Sequence, residues 1–360
     1  MIIKFHYLKA IFPGVVLALI FCLFSQGINN VIAIEIFGTT KSPISTVLIA
    51  ILLGILMGNA FTPRPGMMIG LDFTQQYILK LGIIFLGIRL SFEEFIKFGS
   101  IAIPLIIFCI VGVLILIKLL IKKVPISSKM SYLIAIGTSV CGATAIVATA
   151  PVINAKKTEV AYAIANITLF GVIAMIFYPY FAEWYFDGEQ LKSGLFLGTS
   201  IHETSQVAAA GLIYDQQFNS PETLNVATVT KLIRNTFLVI MIPLFALLYN
   251  RGEIKSKKYS ILNIFPYFVL GFIGMIIVRN LGDQLFTSDN KNYEIWINLI
   301  EYIKILATVF LTMAMAAVGI SINLNELKSM GYKPFVVGLI AAITVGIISL
   351  TYIEISTILI

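Results

Sequence analysis

The sequence predicts an all-α integral membrane protein with about 10–11 membrane segments, two of them interrupted. Three observations carry this. Of the 360 residues, 59% are apolar and 12% are charged, against about 25% charged in a soluble domain. The mean hydropathy is +0.96. Apolar runs of bilayer length, about 20 residues, recur along the whole chain. A chain of this composition cannot be wrapped in polar surface, so its outer solvent is lipid, where backbone groups must be satisfied internally.

The runs fall at 11–28, 45–61, 77–92, 99–121, 130–153, 160–178, 193–214, 226–249, 262–280, 303–323 and 333–353. The first follows Lys4 and Lys9, as a secretory signal would. But Ser25-Gln26-Gly27 is a poor small-x-small cleavage site and the run from Ile11 to Phe24 is long, so a retained span is expected. Nothing is left over for a soluble domain, so residues 1–360 read as a single membrane domain.

Two segments depart from the Leu/Ile-rich pattern. One contains Gly137-Thr138-Ser139-Val140-Cys141-Gly142-Ala143-Thr144-Ala145 and ends near Pro151. The other contains Gly198-Thr199-Ser200-Ile201-His202-Glu203-Thr204-Ser205-Gln206-Val207. Each reads Gly-Thr-Ser, a branched apolar residue, two variable positions and then a small-residue tail, Ala148-Thr149-Ala150 and Ala208-Ala209-Ala210. A second internal match sets Leu86 to Phe95 beside Val318 to Leu327, at an offset of 232 residues. Self-similarity in a membrane chain predicts internal repeats, for which the inverted form is common in transporters.

Loop charge gives an orientation. Lys118, Lys122, Lys123 and Lys129 form one basic group, Lys156 and Lys157 another, Arg251, Lys255, Lys257 and Lys258 a third, and Lys328 with Lys333 a fourth. Glu183, Asp187 and Glu189 make an acidic loop, and Asp215 with Glu222 another. Basic loops belong in the cytoplasm. If every segment crosses, Lys156 and Lys157 fall outside. If the two Gly-Thr-Ser segments are re-entrant, entering from opposite faces, every group obeys the rule, with the amino terminus inside and the carboxyl terminus outside. Broken helices that cross fully are the rival reading.

Glycine and hydroxyl residues at membrane depth persist where they are buried in protein or line a wet cavity. Half-helix N-termini at a break attract anions. Thr138, Ser139, Thr144, Thr199, Ser200 and Thr204 would add hydroxyl donors, and Gly142 would let a substrate approach the backbone. The plainer reading is close helix packing through small residues. His202 and Glu203 are ionisable groups in a membrane segment, and hence candidate proton carriers, with Gln206 beside them; alternatively they cap a half-helix near the surface. Lys231 and Arg234, at i and i+3, share a helix face and either meet an anionic substrate or snorkel to headgroups. Arg89 reads as an interfacial anchor.

Cys22, Cys109 and Cys141 lie in apolar runs, with no Cys-x-x-Cys pair, and there are two histidines, so neither a disulfide framework nor a metal site is expected. The formal net charge of +7 sits in short loops, and no basic stretch alternates with aromatics, so no nucleic-acid partner is expected. No P-loop, Gly-x-Ser-x-Gly, His-Glu-x-x-His or dinucleotide motif occurs, so the chain is expected not to be an enzyme and to need no cofactor.

The stretches Leu53–Asn59, Lys80–Leu90, Gly137–Ile153, Gly198–Gly211 and Met313–Gly319 resemble the YeiH-type sulfate exporter family. They are spread in order over nearly the whole chain. Ser205 stands where Ala or Val is more usual in that family. The family is grouped with the bile-acid symporter, auxin carrier and cation/proton antiporter folds. The resemblance implies inverted repeats, two crossing interrupted helices, an elevator-type motion and a multi-pass location in the bacterial inner membrane.

Three functions are therefore carried forward. The first is a secondary transporter exporting a small anion such as sulfate. The second is a symporter of an organic carboxylate or sulfonate, coupled to H+ or Na+, with Asn166 and Gln206 as added oxygen ligands. The third is a membrane scaffold or sensor without transport. Expected partners are the lipid bilayer and a small anionic solute, with a homodimer as the candidate assembly.

Overall fold

Runs of Leu, Ile, Val and Phe with few helix breakers make helices here, and loop residues end them. In a computed structural model, residues 2–39, 42–61, 63–120, 127–249, 266–289, 291–324 and 332–359 are described. The helices are α1 (Ile2–Val31), α2 (Thr46–Ala60), α3 (Pro65–Phe73), α4 (Leu79–Leu86), α5 (Phe92–Leu120), α6 (Ser128–Ser139), α7 (Ala143–Thr149), α8 (Lys157–Phe186), α9 (Gln190–Ser200), α10 (Thr204–Phe218), α11 (Pro221–Thr236), α12 (Leu238–Tyr249), α13 (Phe268–Leu285), α14 (Tyr293–Ser321) and α15 (Tyr332–Leu359). Lys122, Lys123, Arg251, Lys255, Lys257, Lys258 and Lys328 lie outside the described residues, as do the side chain of Lys333 and the end of the second internal match, Asn325 to Leu327.

Eight helical stretches among the described residues are long and apolar enough to cross a bilayer: Ala10–Ile36, Pro65–Arg89, Phe92–Leu119, Lys157–Phe186, Pro221–Phe245, Phe268–Leu285, Tyr293–Ser321 and Pro334–Ser356. The remaining three of the eleven expected runs, 45–61, 130–153 and 193–214, fall on shorter helices. Thr46–Ala60 is apolar but only 15 residues long. The runs at 130–153 and 193–214 are each two shorter helices, of 12 and 7 residues and of 11 and 15 residues. None of these four has the length of about 20 residues that a span needs. Large apolar side chains cover the outside, Trp184 at 76% and Phe12 at 69% exposure among them, which suits lipid as the surrounding solvent.

The chain forms two compact units. One comprises Met1–Phe95, Leu212–Pro221 and Phe268–Leu324. Its helices approach closely through glycine. A methyl group on Gly54 of α2 would lie 2.6 Å from the Ala316 carbonyl of α14, and one on Gly319 would lie 3.0 Å from the Gly54 Cα. Such small-residue seams replace the hydrophobic drive that lipid removes. Asn59 closes the seam: its Nδ2 donates to the Ile322 carbonyl at 2.8 Å and its Oδ1 accepts from the Leu324 amide at 2.9 Å. Arg89 is not an interfacial anchor. It forms an ion pair with Asp215 at 2.8 Å, both side chains being 14–15% exposed.

The other unit comprises Ile96–Gly211, Glu222–Tyr267 and Asn325–Ile360. Here α6 and α7 fold back on each other. A methyl on Gly137 would lie 2.8 Å from Ile146 Cδ1, and Lys129 Nζ at the start of α6 donates to the Asn154 carbonyl, beyond the end of α7, at 2.7 Å. Ser127 also bonds Glu159 at the start of α8. Both ends of the α6–α7 pair are thus together.

The second pair does the same, as its register on α11 shows. Gln190 accepts from Thr223 Oγ1 at 3.1 Å. Methyls on Gly194 and Gly198 would lie 2.5 Å from Val226 Cβ and 2.6 Å from Thr230 Cβ. So α9 runs parallel to α11. In contrast, Thr204 Oγ1 accepts from Asn235 Nδ2 at 2.9 Å, and a methyl on Gly211 would lie 2.9 Å from Leu224 Cδ1. So α10 runs antiparallel to α11, and α9–α10 is a helical hairpin. The resemblance implied crossing helices; the contacts run as hairpins.

Candidate functional site

The two hairpin turns meet at one face of α11. The first turn is Val140–Gly142, between Ser139 and Ala143. The second is Ile201–Glu203, between Ser200 and Thr204. A helix that stops leaves carbonyls without intrahelical donors. Inside a membrane those carbonyls need partners, and α11 supplies them.

Lys231 and Arg234 are both fully buried. Lys231 Nζ donates to the Val140 carbonyl at 3.2 Å, to the Ile201 carbonyl at 3.0 Å and to the His202 carbonyl. These three bonds use all three ammonium donors. Arg234 Nε donates to the Ser139 carbonyl at 2.8 Å, Nη1 to Thr199 at 2.6 Å and Ile201 at 3.3 Å, and Nη2 to Thr138. Among the described residues neither side chain forms an ion pair. The cations therefore cap the C-terminal ends of α6 and α9, where the helix dipole is negative. Burying an ion costs several kcal/mol, and each charge-assisted hydrogen bond returns about 1.5–3 kcal/mol.

Glu203 reaches across from one turn to the other. Its Oε1 accepts from the Ala143 amide, the first of α7, at 3.3 Å. Gly142 has φ of +69°, a conformation open to glycine, and a Cβ there would meet Glu203 Cγ. Gln206 is a cap and a brace. Its Oε1 accepts from the Glu203 amide at 3.2 Å, the reciprocal half of a capping box, and its Nε2 donates to the Thr168 carbonyl of α8 at 3.3 Å.

The predicted hydroxyls divide. Thr138, Ser139 and Ser200 are buried with no hydrogen-bond partner on their side-chain oxygens among the described residues, and His202 is buried with neither ring nitrogen partnered. Thr199 Oγ1 turns back to the Leu195 carbonyl at 2.7 Å and meets Ser349 Oγ of α15 at 2.7 Å. Thr204 is engaged with Asn235. Thr144 is exposed on the outside of α7. Asn166 donates to the Pro334 carbonyl at 2.5 Å and braces α8 against α15. Two neighbours escaped the sequence reading. Thr230, on α11, is fully buried with an unpartnered Oγ1, and Asn235 is buried and holds Thr204. The low-hydropathy run Thr228–Asn235 was the signal for both.

Comparison with known proteins places the chain. The family model described as Conserved hypothetical protein 698 matches residues 13–338. A UPF0324 membrane protein of Streptococcus agalactiae is 33% identical over 302 residues, covering 84% of this chain and 87% of the relative. One from Fusobacterium nucleatum is 32% identical over 321 residues, 88% of this chain and 91% of the relative. One from Clostridium tetani is 29% identical over 357 residues, 95% and 96%. No solved structure matches. With membrane-length helices on one side and bacterial membrane proteins on the other, the chain is a multi-pass membrane protein that belongs to the family described as Conserved hypothetical protein 698, whose relatives here carry the name UPF0324 membrane protein.

Proposed function

We propose that this protein is a secondary transporter that exports a small anion, sulfate being the leading candidate, by alternating access. One observation carries the reading: two buried cations, paired with no carboxylate among the described residues, lie beside buried hydroxyls and an imidazole without partners. Carbonyls satisfy the hydrogen bonds of Lys231 and Arg234 while leaving their formal charge in place. An oxyanion at the hairpin turns would supply the missing negative charge and accept from Ser139, Ser200 or Thr138. The hairpins would then be re-entrant, entering the bilayer from opposite faces as inverted repeats do. The neighbourhood of residues 127–129 and 154–159 supports this for the first.

Coupling would run through Glu203. A sodium-coupled symporter is the weaker reading, because the turn carbonyls that would hold sodium already accept from Lys231 and Arg234. The test is flux. Purified protein in proteoliposomes should take up labelled sulfate against a counter-gradient, and Arg234→Gln should abolish it. Lack of flux for every oxyanion tried, with and without a proton gradient, would remove the transporter reading and leave a scaffold or sensor.

A further inference from the structure

The charges at the hairpin turns can be counted. Each turn ends one helix and begins another, so negative and positive partial charges of the helix ends offset one another, and formal charges decide the balance. Lys231 and Arg234 contribute two positive charges and Glu203 one negative. The titratable groups that interact with these three are His202, Cys141 and Cys109. His202 has no partner on either nitrogen and the thiols are buried; a charge on any of them would be buried without a hydrogen-bonded counter-ion, so all three count as neutral. Among the described side chains, the remaining charged residues of the surrounding helices sit towards their ends: Glu93, Glu94, Lys97 and Lys118 on α5, Lys129 on α6, Lys157, Glu159 and Glu183 on α8, Lys192 on α9, Asp215 on α10 (paired with Arg89), Glu222 on α11 and Glu354 on α15. The site therefore carries one uncompensated positive charge.

We infer that this site, read as the anion site proposed above, takes a singly charged anion as it stands and a doubly charged oxyanion only together with one proton, which binds to Glu203. A monoanion neutralises the excess. A dianion overshoots it by one, and an unbalanced buried charge is costly. Glu203 is the carboxylate at the turns, it is partly exposed, and it is held by a single backbone bond to Ala143. A proton there restores neutrality without moving a helix. Sulfate would thus move as a sulfate–proton pair, and a tetrahedral monoanion of similar shape would move alone.

The test counts protons on binding, independently of transport. The full chain in detergent is titrated calorimetrically with sulfate and with perrhenate, in buffers of different ionisation enthalpy at mildly alkaline pH. The expected result is one proton taken up per sulfate and none per perrhenate, with Glu203→Gln binding both anions without proton uptake and Glu203→Asp regaining it. Sulfate binding without proton uptake in the unaltered chain overturns the inference, whatever the variants do, and so does uptake that survives in Glu203→Gln. Proton-linked sulfate binding by a protein that moves no anion in vesicles would uphold the charge rule and sink the transport reading alone. Failure of both anions to bind would sink both.

Discussion

Replacing Gly142 by alanine should destabilise the protein by about 2–4 kcal/mol, from two separable terms. The first is backbone conformation. Gly142 has φ of +69° and ψ of −132°, a region that residues with a β-carbon enter at about 1–3 kcal/mol. The second is contact. The new methyl would meet Glu203 Cγ, with Oε1 at 3.2 Å and Cδ at 3.3 Å. Glu203 can swing aside because it is partly exposed. In doing so it gives up the bond to the Ala143 amide, worth about 1 kcal/mol. The measurement is unfolding of purified protein in one detergent, beside Gly27→Ala as a control. Gly27 sits in α1 with no atom near enough to meet a Cβ, so alanine there should stabilise by about 0.5–1 kcal/mol through its better helix propensity. The same chemical change should thus act in opposite directions at the two sites. If Gly142→Ala unfolds together with the unaltered protein, the strained turn against Glu203 is wrong.

Three further outcomes are expected. Arg234→Lys keeps the charge but loses the guanidinium fork that reaches Thr138, Ser139, Thr199 and Ile201; orphaning one or two of these buried carbonyls should lower stability by about 2–4 kcal/mol in denaturant unfolding, and equal stability would refute the clasp. Gly319→Leu should cost about 3 kcal/mol or more, because its Cβ would meet the Ile51 carbonyl and lie 3.0 Å from Gly54 Cα in the α2–α14 seam; a protein that melts unchanged would show that the seam is loose. Exchanging sodium for potassium at equal ionic strength should leave the melting temperature where it is, since the turn carbonyls already accept from Lys231 and Arg234; a sodium-specific rise would show a vacant cation site.

Much of the fold is legible in the sequence because lipid leaves few choices. Runs such as 99–121 and 303–323 correspond to α5 and α14, since a bilayer-length apolar run must satisfy its own backbone. The two Gly-Thr-Ser segments were legible as exceptions for the converse reason. Their local geometry was less so. Thr199 returns its hydroxyl to Leu195, a habit of threonine inside helices that removes it from any solute. Thr144 lies two residues past Gly142 and faces outward. A run of hydroxyls says that a segment is unusual but leaves open which of them the helix itself consumes. Gln206 stands in the sequence beside the candidate proton carriers; in the fold its Oε1 accepts from the Glu203 amide, at the capping-box spacing of three.

The sign of the electrostatics at the turns was the harder matter. Sequence alone favoured half-helix N-termini as the attraction for an anion. In the structure the Ala143 amide of α7 is taken by Glu203, and the positive charge comes from α11, whose Lys231 and Arg234 reach carbonyls 29–96 positions away in the chain. No local pattern encodes such a contact. Its physical consequence is nevertheless simple. Had Lys231 and Arg234 met carboxylates, each pair would have cancelled, and no excess positive charge would have remained at the turns for the proposed anion. Carbonyl oxygens bring dipoles instead of charges. They satisfy every ammonium donor of Lys231 and most of the guanidinium donors of Arg234, and they hold both cations within the membrane-length stretch Pro221–Phe245. The positive potential survives the burial, so the same bonds that let the two helices end inside the protein also leave it with a positive charge that, on the proposed reading, an anionic solute balances.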